Sequence, residues 1–288
     1  MVERKRNSAE AGPGHDGLPA TTVRLDSRGW KDGRAQAANR SVPEETAVAL
    51  VYDGSTEAVM MATPADLEDF AIGFSLTEGL VRHPAEIRGL EILPVADGVE
   101  ARMWLAPDRS REASTRRRTR AGPTGCGLCG VDSLAEAARL RQVRPLAALD
   151  PVAADRLLEA MAALDAAQRL GPETRAVHAA GFWRPGAGPN AGLVALREDV
   201  GRHNALDKLV GALARAGEAD FGGAVLLTSR VSVEMVQKTA SLGAPLLVAV
   251  SAPTALAVRT AEAAGITLAA IARRDGFEVF THPHRVGM

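Results

Sequence analysis

Two cysteines in 288 residues, Cys126 and Cys129, exclude a disulfide framework, and a four-cysteine zinc site cannot be built within one chain. Aromatics are nearly as scarce. Six Phe, three Trp and one Tyr leave no stacking platform for single-stranded nucleic acid. An excess of charge of either sign is also missing. With 34 Lys+Arg against 35 Asp+Glu the formal net charge is -1, so no global field draws the chain to nucleic acid or to anionic lipid, and any polyanion site must be local. No apolar run reaches the roughly 18–20 residues that span a bilayer. Met1–Ala20 is polar and lacks a signal-peptide apolar stretch, so the expected compartment is the cytoplasm, with no membrane partner. What the chain does have is apolar material, 46% hydrophobic residues beside 24% charged, enough for one large core or two smaller ones.

Residues 1–40 mix charge, Gly and Ala without apolar periodicity and read as a disordered tail. Ala47–Tyr52 and Ala58–Ala62 around Asp53-Gly54 predict a hairpin, as do Leu90–Val95 and Val99–Leu105 around Asp97-Gly98. Between them Thr63-Pro64-Ala65-Asp66 predicts a helix start with Thr63 as cap, the helix running to Gly79. Asp108–Arg120 carries six arginines against Asp108 and Glu112 and reads as a loop. It leads into Gly125-Cys126-Gly127-Leu128-Cys129-Gly130, after which Ser133 and Glu136 form a capping-box pattern. A further helix is expected over Val152–Leu170 behind an Asp150 cap. From Ala176 onward strands alternate with helices near Arg202–Arg215, Val231–Ser241 and Thr254–Ala264. Strands such as Ala224-Val225-Leu226-Leu227 are apolar on both faces, as a sheet covered by helices requires. The chain divides on this reading into 1–40, a β-rich portion over 41–125 that includes the arginine-rich loop, and an α/β portion over 126–288.

Three constellations could carry chemistry. At a loop-to-helix junction a thiolate is stabilised by free backbone N–H groups, the helix dipole and nearby arginines, and flanking glycines let the loop move. The Cys126/Cys129 pair therefore suits a dithiol, a metal site completed by histidines, or a persulfide carrier, in which one thiolate accepts a terminal sulfur and hands it on. Its alternative is a pair of small apolar residues with no role. Nucleobase deaminases combine His-x-Glu with a Cys pair; here His178-Ala179-Ala180 lacks the carboxylate, which argues against that chemistry. The second constellation, Glu198–Lys208, crowds Asp199, Arg202, His203, Asn204, Asp207 and Lys208 at a helix start, a natural place for phosphate recognition or else a solvated, internally paired face. The third is Thr228-Ser229-Arg230 with Ser251, at strand ends where open α/β sheets hold ligands. Ile271-Ala272-Arg273-Arg274-Asp275-Gly276 adds two arginines in a turn after a strand.

Together these segments resemble the FdhD family of formate dehydrogenase accessory sulfurtransferases. The resemblance rests on Gly73–Gly79, Cys126–Gly130, Val177–Ala180, Glu198–Lys208, Ser229-Arg230 with Glu234 and Gln237-Lys238, Ser251-Ala252-Pro253 and Thr281–Val286. It implies a three-layer α/β/α cytidine-deaminase-like fold used without zinc, with an N-terminal β-hairpin-rich portion, and a homodimer. It further implies transfer of persulfide sulfur from a cysteine desulfurase to bis-molybdopterin guanine dinucleotide, the acceptor substrate needed by formate dehydrogenase. On this resemblance Cys126 bears the persulfide and Cys129 assists. Ile271, Ala272, Arg273, Arg274, Asp275 and Gly276 contact the cofactor, with His203, Asn204, Ser229 and Arg230 as further binding residues. The family commonly has Ser-Gly-Arg where this chain has Thr228-Ser229-Arg230, and an aromatic where it has Ile271. The competing expectation is a non-catalytic chaperone that shelters the cofactor while the Cys pair holds structure or metal.

Overall fold

The computed structural model describes residues 17–112, 144–186 and 191–288. Cys126, Cys129, the arginines from Arg116 to Arg120 and the Ser133 cap lie outside them.

The expected alternation from Ala176 onward is present and forms a six-stranded sheet. Its strands are β8 (His178–Arg184), β9 (Gly192–Asp199), β10 (Ala224–Leu227), β11 (Leu246–Ala249), β12 (Thr267–Arg273) and β13 (Gly276–Val279), in the order β13-β12-β11-β10-β8-β9. β10, β11 and β12 run parallel, while β8, β9 and β13 are antiparallel to their neighbours. The sheet is thus mixed, and its parallel centre is where every residue of β10 and β11 is buried on both faces. Helix α2 (Ala154–Ala167) covers one face through Leu157, Ala160, Met161 and Leu164. The other face packs against α4 (Arg202–Arg215), α5 (Val233–Leu242) and α6 (Ala255–Ala263), completing the three-layer α/β/α arrangement.

The N-terminal portion stacks on the outer side of α4. Helix α1 (Leu67–Thr77) and a four-stranded sheet of β3 (Thr46–Tyr52), β4 (Ser55–Ala62), β5 (Ile87–Val95) and β6 (Gly98–Leu105), ordered β4-β3-β6-β5, share one continuous core with α4 and the larger sheet. Both predicted hairpins are there, and Asp53 and Gly54 each take positive φ, 49° and 77°, as a two-residue turn that follows the strand twist requires. Helices α1 and α4 meet backbone to backbone. A Cβ on Gly73 would sit 1.7 Å from the Asp207 carbonyl oxygen, and one on Gly211 would sit 1.8 Å from that of Asp69, so only glycine fits at either crossing point.

Three expectations are corrected. Residues 22–40, read as part of a disordered tail, belong with residues 41–43 to an antiparallel hairpin of β1 (Thr22–Lys31) and β2 (Arg34–Pro43). Its Asp32-Gly33 turn has φ values of 51° and 74°, the same Asp-Gly device as at Asp53-Gly54. Thr63 does not cap α1. The N-cap is Asp66, left-handed and without a side-chain cap bond, because Thr63 is committed to the β9–α4 turn described below. The helix expected from Val152 starts at Ala154 instead, because Val152–Ala153 (β7) pairs in parallel with Val286–Gly287 (β14) near the other end of the chain. A short helix α3 (Leu170–Thr174) follows α2.

Candidate functional site

Strand directions bring the polar constellations to one edge of the six-stranded sheet. The parallel strands β10, β11 and β12 end there, as does antiparallel β9, and antiparallel β8 begins there: the Thr228 N–H donates to the Ala179 carbonyl, and His178 pairs with Asp199. The Val231 N–H donates to the Ala252 carbonyl and the Ile271 N–H to that of Ser251, so the loops after β10, β11 and β12 adjoin in turn. In open α/β sheets this carboxyl edge is where ligands lie.

The Glu198–Lys208 run sorts its charges by direction. Asp199, fully buried, is a hub: Oδ1 accepts from the Gly201 N–H and the Asn204 amide, and Oδ2 accepts from the Thr63 N–H and from Lys208 Nζ at 2.6 Å. Lys208 Nζ also donates to the Thr63 carbonyl, and the Val200 N–H to Thr63 Oγ1. Asn204 spends its second amide hydrogen on the Met61 carbonyl. Four residues away from His203, Asp207 turns inward and accepts from Lys238 Nζ at 2.8 Å and from Thr77 Oγ1 at 2.6 Å. Burial works against the Lys238 charge, yet Asp207 and Glu78 outweigh it and hold its pKa above the ordinary lysine value. Glu198 turns the other way and accepts from the Arg169, Leu170 and Gly171 N–H groups at the start of α3. These satisfied networks fix the angle at which α4 leaves the sheet.

The outward residues at the same edge are Arg202, His203 and, from neighbouring elements, His178 and Arg230. His203 Nε2 lies 3.1 Å from Glu234 Oε2, which also accepts from Ser232 Oγ. The hydrogen bond from His203 draws the Glu234 carboxyl down to about 2, against its burial and with help from Ser232 and Arg202. His178, half-buried, has its pKa lowered by desolvation and then by the positive charges of Arg202, Arg230 and His203. Its ring is therefore neutral amid cations. Among the described residues neither Arg202 nor Arg230 forms a side-chain hydrogen bond or ion pair, and Arg202 Nε is buried without a partner. Two guanidiniums unpaired among the described residues, beside an imidazole whose pKa burial and then their charge lower, make an arrangement suited to a multiply charged oxyanion.

Further along the edge, Ile271 adopts φ 56°, a left-handed conformation rarely tolerated by a β-branched residue, where β12 shifts register against β13 between Ala270 and Arg273. The Arg273 guanidinium ties back to the Val250 and Ala272 carbonyls. Arg274 and Asp275 form the exposed turn, Gly276 opens β13, and Ala272 is buried. Of the residues singled out from sequence, His203, Arg230, Arg273, Arg274 and Asp275 therefore share this edge. Asn204 is turned inward with both amide hydrogens used, and Ser229 is buried with its hydroxyl on the Arg230 carbonyl. Arg202 belongs to the Glu198–Lys208 constellation and His178 to the Val177–Ala180 segment, but the sequence marks neither as a binding residue by itself. Among the described residues no group of three or more His, Cys, Asp or Glu is placed to hold a metal ion, and no helix is long and apolar enough to cross a membrane.

Comparison with known proteins places this geometry in context. The profile of the FdhD/NarQ family matches residues 43–287. The sulfur carrier protein FdhD of Agrobacterium fabrum is 51% identical over 270 residues, covering 93% of this chain and 97% of the relative. That of Bordetella bronchiseptica is 45% identical over 287 residues, covering 99% of each. A crystal structure from Desulfotalea psychrophila, assigned as a formate dehydrogenase accessory protein, superposes with a TM-score of 0.71 at 26% identity, covering 93% of this chain and all of the other.

Proposed function

The chain belongs to the FdhD/NarQ family, and from that premise we propose that it is a sulfur carrier serving formate dehydrogenase. The Cys126 thiolate attacks the outer sulfur of a persulfide on a cysteine desulfurase. The new S–S bond forms as the old one breaks, the desulfurase thiolate leaves, and Cys126 becomes the persulfide. Cys129 assists the later release: its thiolate attacks Cys126 Sγ, the Cys126–Cys129 disulfide forms as the persulfide S–S bond breaks, and the outer sulfur leaves as sulfide, the two electrons coming from the thiol pair, which an external thiol reductant then restores. The acceptor substrate is bis-molybdopterin guanine dinucleotide, whose metal takes up the sulfide as a ligand. The protein works in the cytoplasm as a homodimer.

The observation that supports an anionic acceptor is the pair of guanidiniums, Arg202 and Arg230, that are unpartnered among the described residues, on the carboxyl edge beside His178, whose pKa is lowered. Diphosphate oxygens match their donors and supply the missing counter-charge. His203, fixed by Glu234, adds a donor on the same side, and Arg274 stands in the exposed turn at the far end of the edge. The inward hub at Asp199 and Lys208 holds Arg202 and His203 in position without touching ligand.

Mass spectrometry after incubation with cysteine and a desulfurase tests the reading. One added sulfur on Cys126 is expected, absent in Cys126→Ala, together with loss of formate dehydrogenase activation. A Cys126→Ala variant that still activates the enzyme removes the carrier role. Stoichiometric zinc without added sulfur puts the cofactor-sheltering chaperone in its place.

A further inference from the structure

Helices α4 and α5 face each other across two rungs of opposite polarity. In the inner rung α4 supplies the carboxylate and α5 the cation, Asp207 accepting from Lys238 at 2.8 Å. In the outer rung, four residues earlier on both helices, the order is reversed: α4 supplies the His203 imidazole and α5 the Glu234 carboxylate, 3.1 Å apart. The inner rung is sealed and also tied to α1, because Lys238 Nζ donates to Thr77 Oγ1 and Glu78 Oε1. It sets the spacing of the two helices. The outer rung opens to water, its side chains 30% and 29% exposed.

That spacing decides which His203 nitrogen holds the hydrogen. Glu234 Oε2 also accepts from Ser232 Oγ at 2.8 Å, and the hydrogen bonds from His203 and then Ser232 keep its carboxyl ionised. An ionised carboxylate only accepts, so Nε2 must donate. Nδ1 of the neutral ring is then a bare lone pair, without a partner among the described residues. A lone pair repels an oxyanion. Around the ring stand Glu234 and Ser232 on the α5 side, Arg202 beside it on α4, His178 at the start of β8 and Arg230 in the loop after β10, and the charges of Arg202, Arg230 and His203 all reach His178. Only a second proton turns Nδ1 into a donor toward a ligand at this edge.

The geometry points to Glu234 as a positioning residue that couples anion binding to a proton: by holding Nε2–H inward, it obliges His203 to take one proton from solvent at Nδ1 when a diphosphate occupies the edge beside Arg202 and Arg230. The proton adds to the Nδ1 lone pair, Nε2 keeps its own, and no other bond forms or breaks. In the empty site Arg202 and Arg230 oppose a third cation, and the anion cancels that opposition. The inference rests on the anionic acceptor proposed above and adds a proton to its binding, through a residue that touches no ligand.

Calorimetric titration of the full chain with GDP-mannose tests it, because both phosphates of this probe are esterified and keep their charge from pH 8 to pH 6. Wild type is expected to bind up to about tenfold more tightly for each pH unit lowered, the limit for one coupled proton, and heats in buffers of different ionisation enthalpy should show that uptake. Glu234→Gln frees the ring to present either nitrogen, since an amide both donates and accepts. It is expected to bind at pH 8 at least as well as wild type and to lose most of the slope. Glu234→Asp should restore the slope, and His178→Gln should keep it. Wild-type affinity that changes by less than about twofold over the range, a Glu234→Gln variant that keeps the slope, or a His178→Gln variant that abolishes it overturns the inference and leaves the anionic acceptor standing. No binding at either pH removes the acceptor reading, and the inference with it.

Discussion

Lys208 and Lys238 are sealed from water, and each lies within 2.6–2.8 Å of a carboxylate on the helix α4 side of the core. Arg202 and Arg230, a turn away at the sheet edge, meet none among the described residues. Both regions are positively charged and close together, yet one is neutralised by the protein and the other is left for something else. A buried charge that lost its partner would be strongly destabilising, so the inward set must be matched for the chain to fold. The exposed Arg230 guanidinium carries no such penalty, and half-buried Arg202 bears part of it at Nε. Leaving them unmatched costs little in stability and keeps an anion site open. The contrast separates residues that build the site from those that use it, although all of them fall within one polar stretch of sequence.

The largest test of this contrast is on the inward side. Lys208→Met leaves Asp199 buried without its cation and is expected to lower the free energy of unfolding by about 3–5 kcal/mol, read from chemical denaturation. Adding Asp199→Asn recovers part of that loss. On the outward side, Arg202→Ala and Arg230→Ala are expected to leave stability within about 0.5 kcal/mol of wild type. Each should weaken binding of guanosine diphosphate roughly tenfold by titration calorimetry, about 1.4 kcal/mol, and the loss should shrink at high salt. Equal loss of stability on both sides would erase the distinction.

The smallest effect is in acid. His178 titrates in the folded state below its ordinary value of 6.5, so below that value the unfolded chain binds the proton more readily, and stability declines as the pH falls from 6.5 toward the folded value. Glu234 shifts downward too. Its contribution is complete above its ordinary 4.5 and is lost as the pH falls through about 2. Melting temperatures from pH 7.5 to 5.5 should therefore drop, and His178→Gln should remove part of that slope while leaving the Glu234 step below pH 4.5.

Much of this architecture could be read directly. Helix α4 begins and ends at Arg202 and Arg215 as its pattern indicates, and Asp53-Gly54 and Asp97-Gly98 mark two hairpins. Asp32-Gly33 carries the same signal, but the flanking residues from Arg24 to Arg40 do not alternate apolar and polar, and among the described residues no core lies beneath them. Val152–Ala153 was unreadable for another reason: its pairing partner comes at Val286–Gly287. At the site, His203 and Arg230 were evident from their settings. His178 joins them only because β8 runs antiparallel to β10 and β9, a direction that side-chain pattern cannot encode, whereas Arg202 adjoins His203 in the sequence itself. Asn204 illustrates the converse. Its chemistry suited a ligand, and the fold uses it to hold the Met61 carbonyl.

The contact of Gly73 with Asp207, and of Gly211 with Asp69, bears on how the chain is made. A nascent polypeptide that has emerged only as far as β6 has its first sheet and α1 but nothing to lay over Asp69, Gly73 and Thr77, the α1 residues that meet α4. That face stays bare until α4 leaves the ribosome, an interval in which aggregation competes with closure. The molecule therefore cannot be assembled as two finished halves, and its first half needs shelter during synthesis.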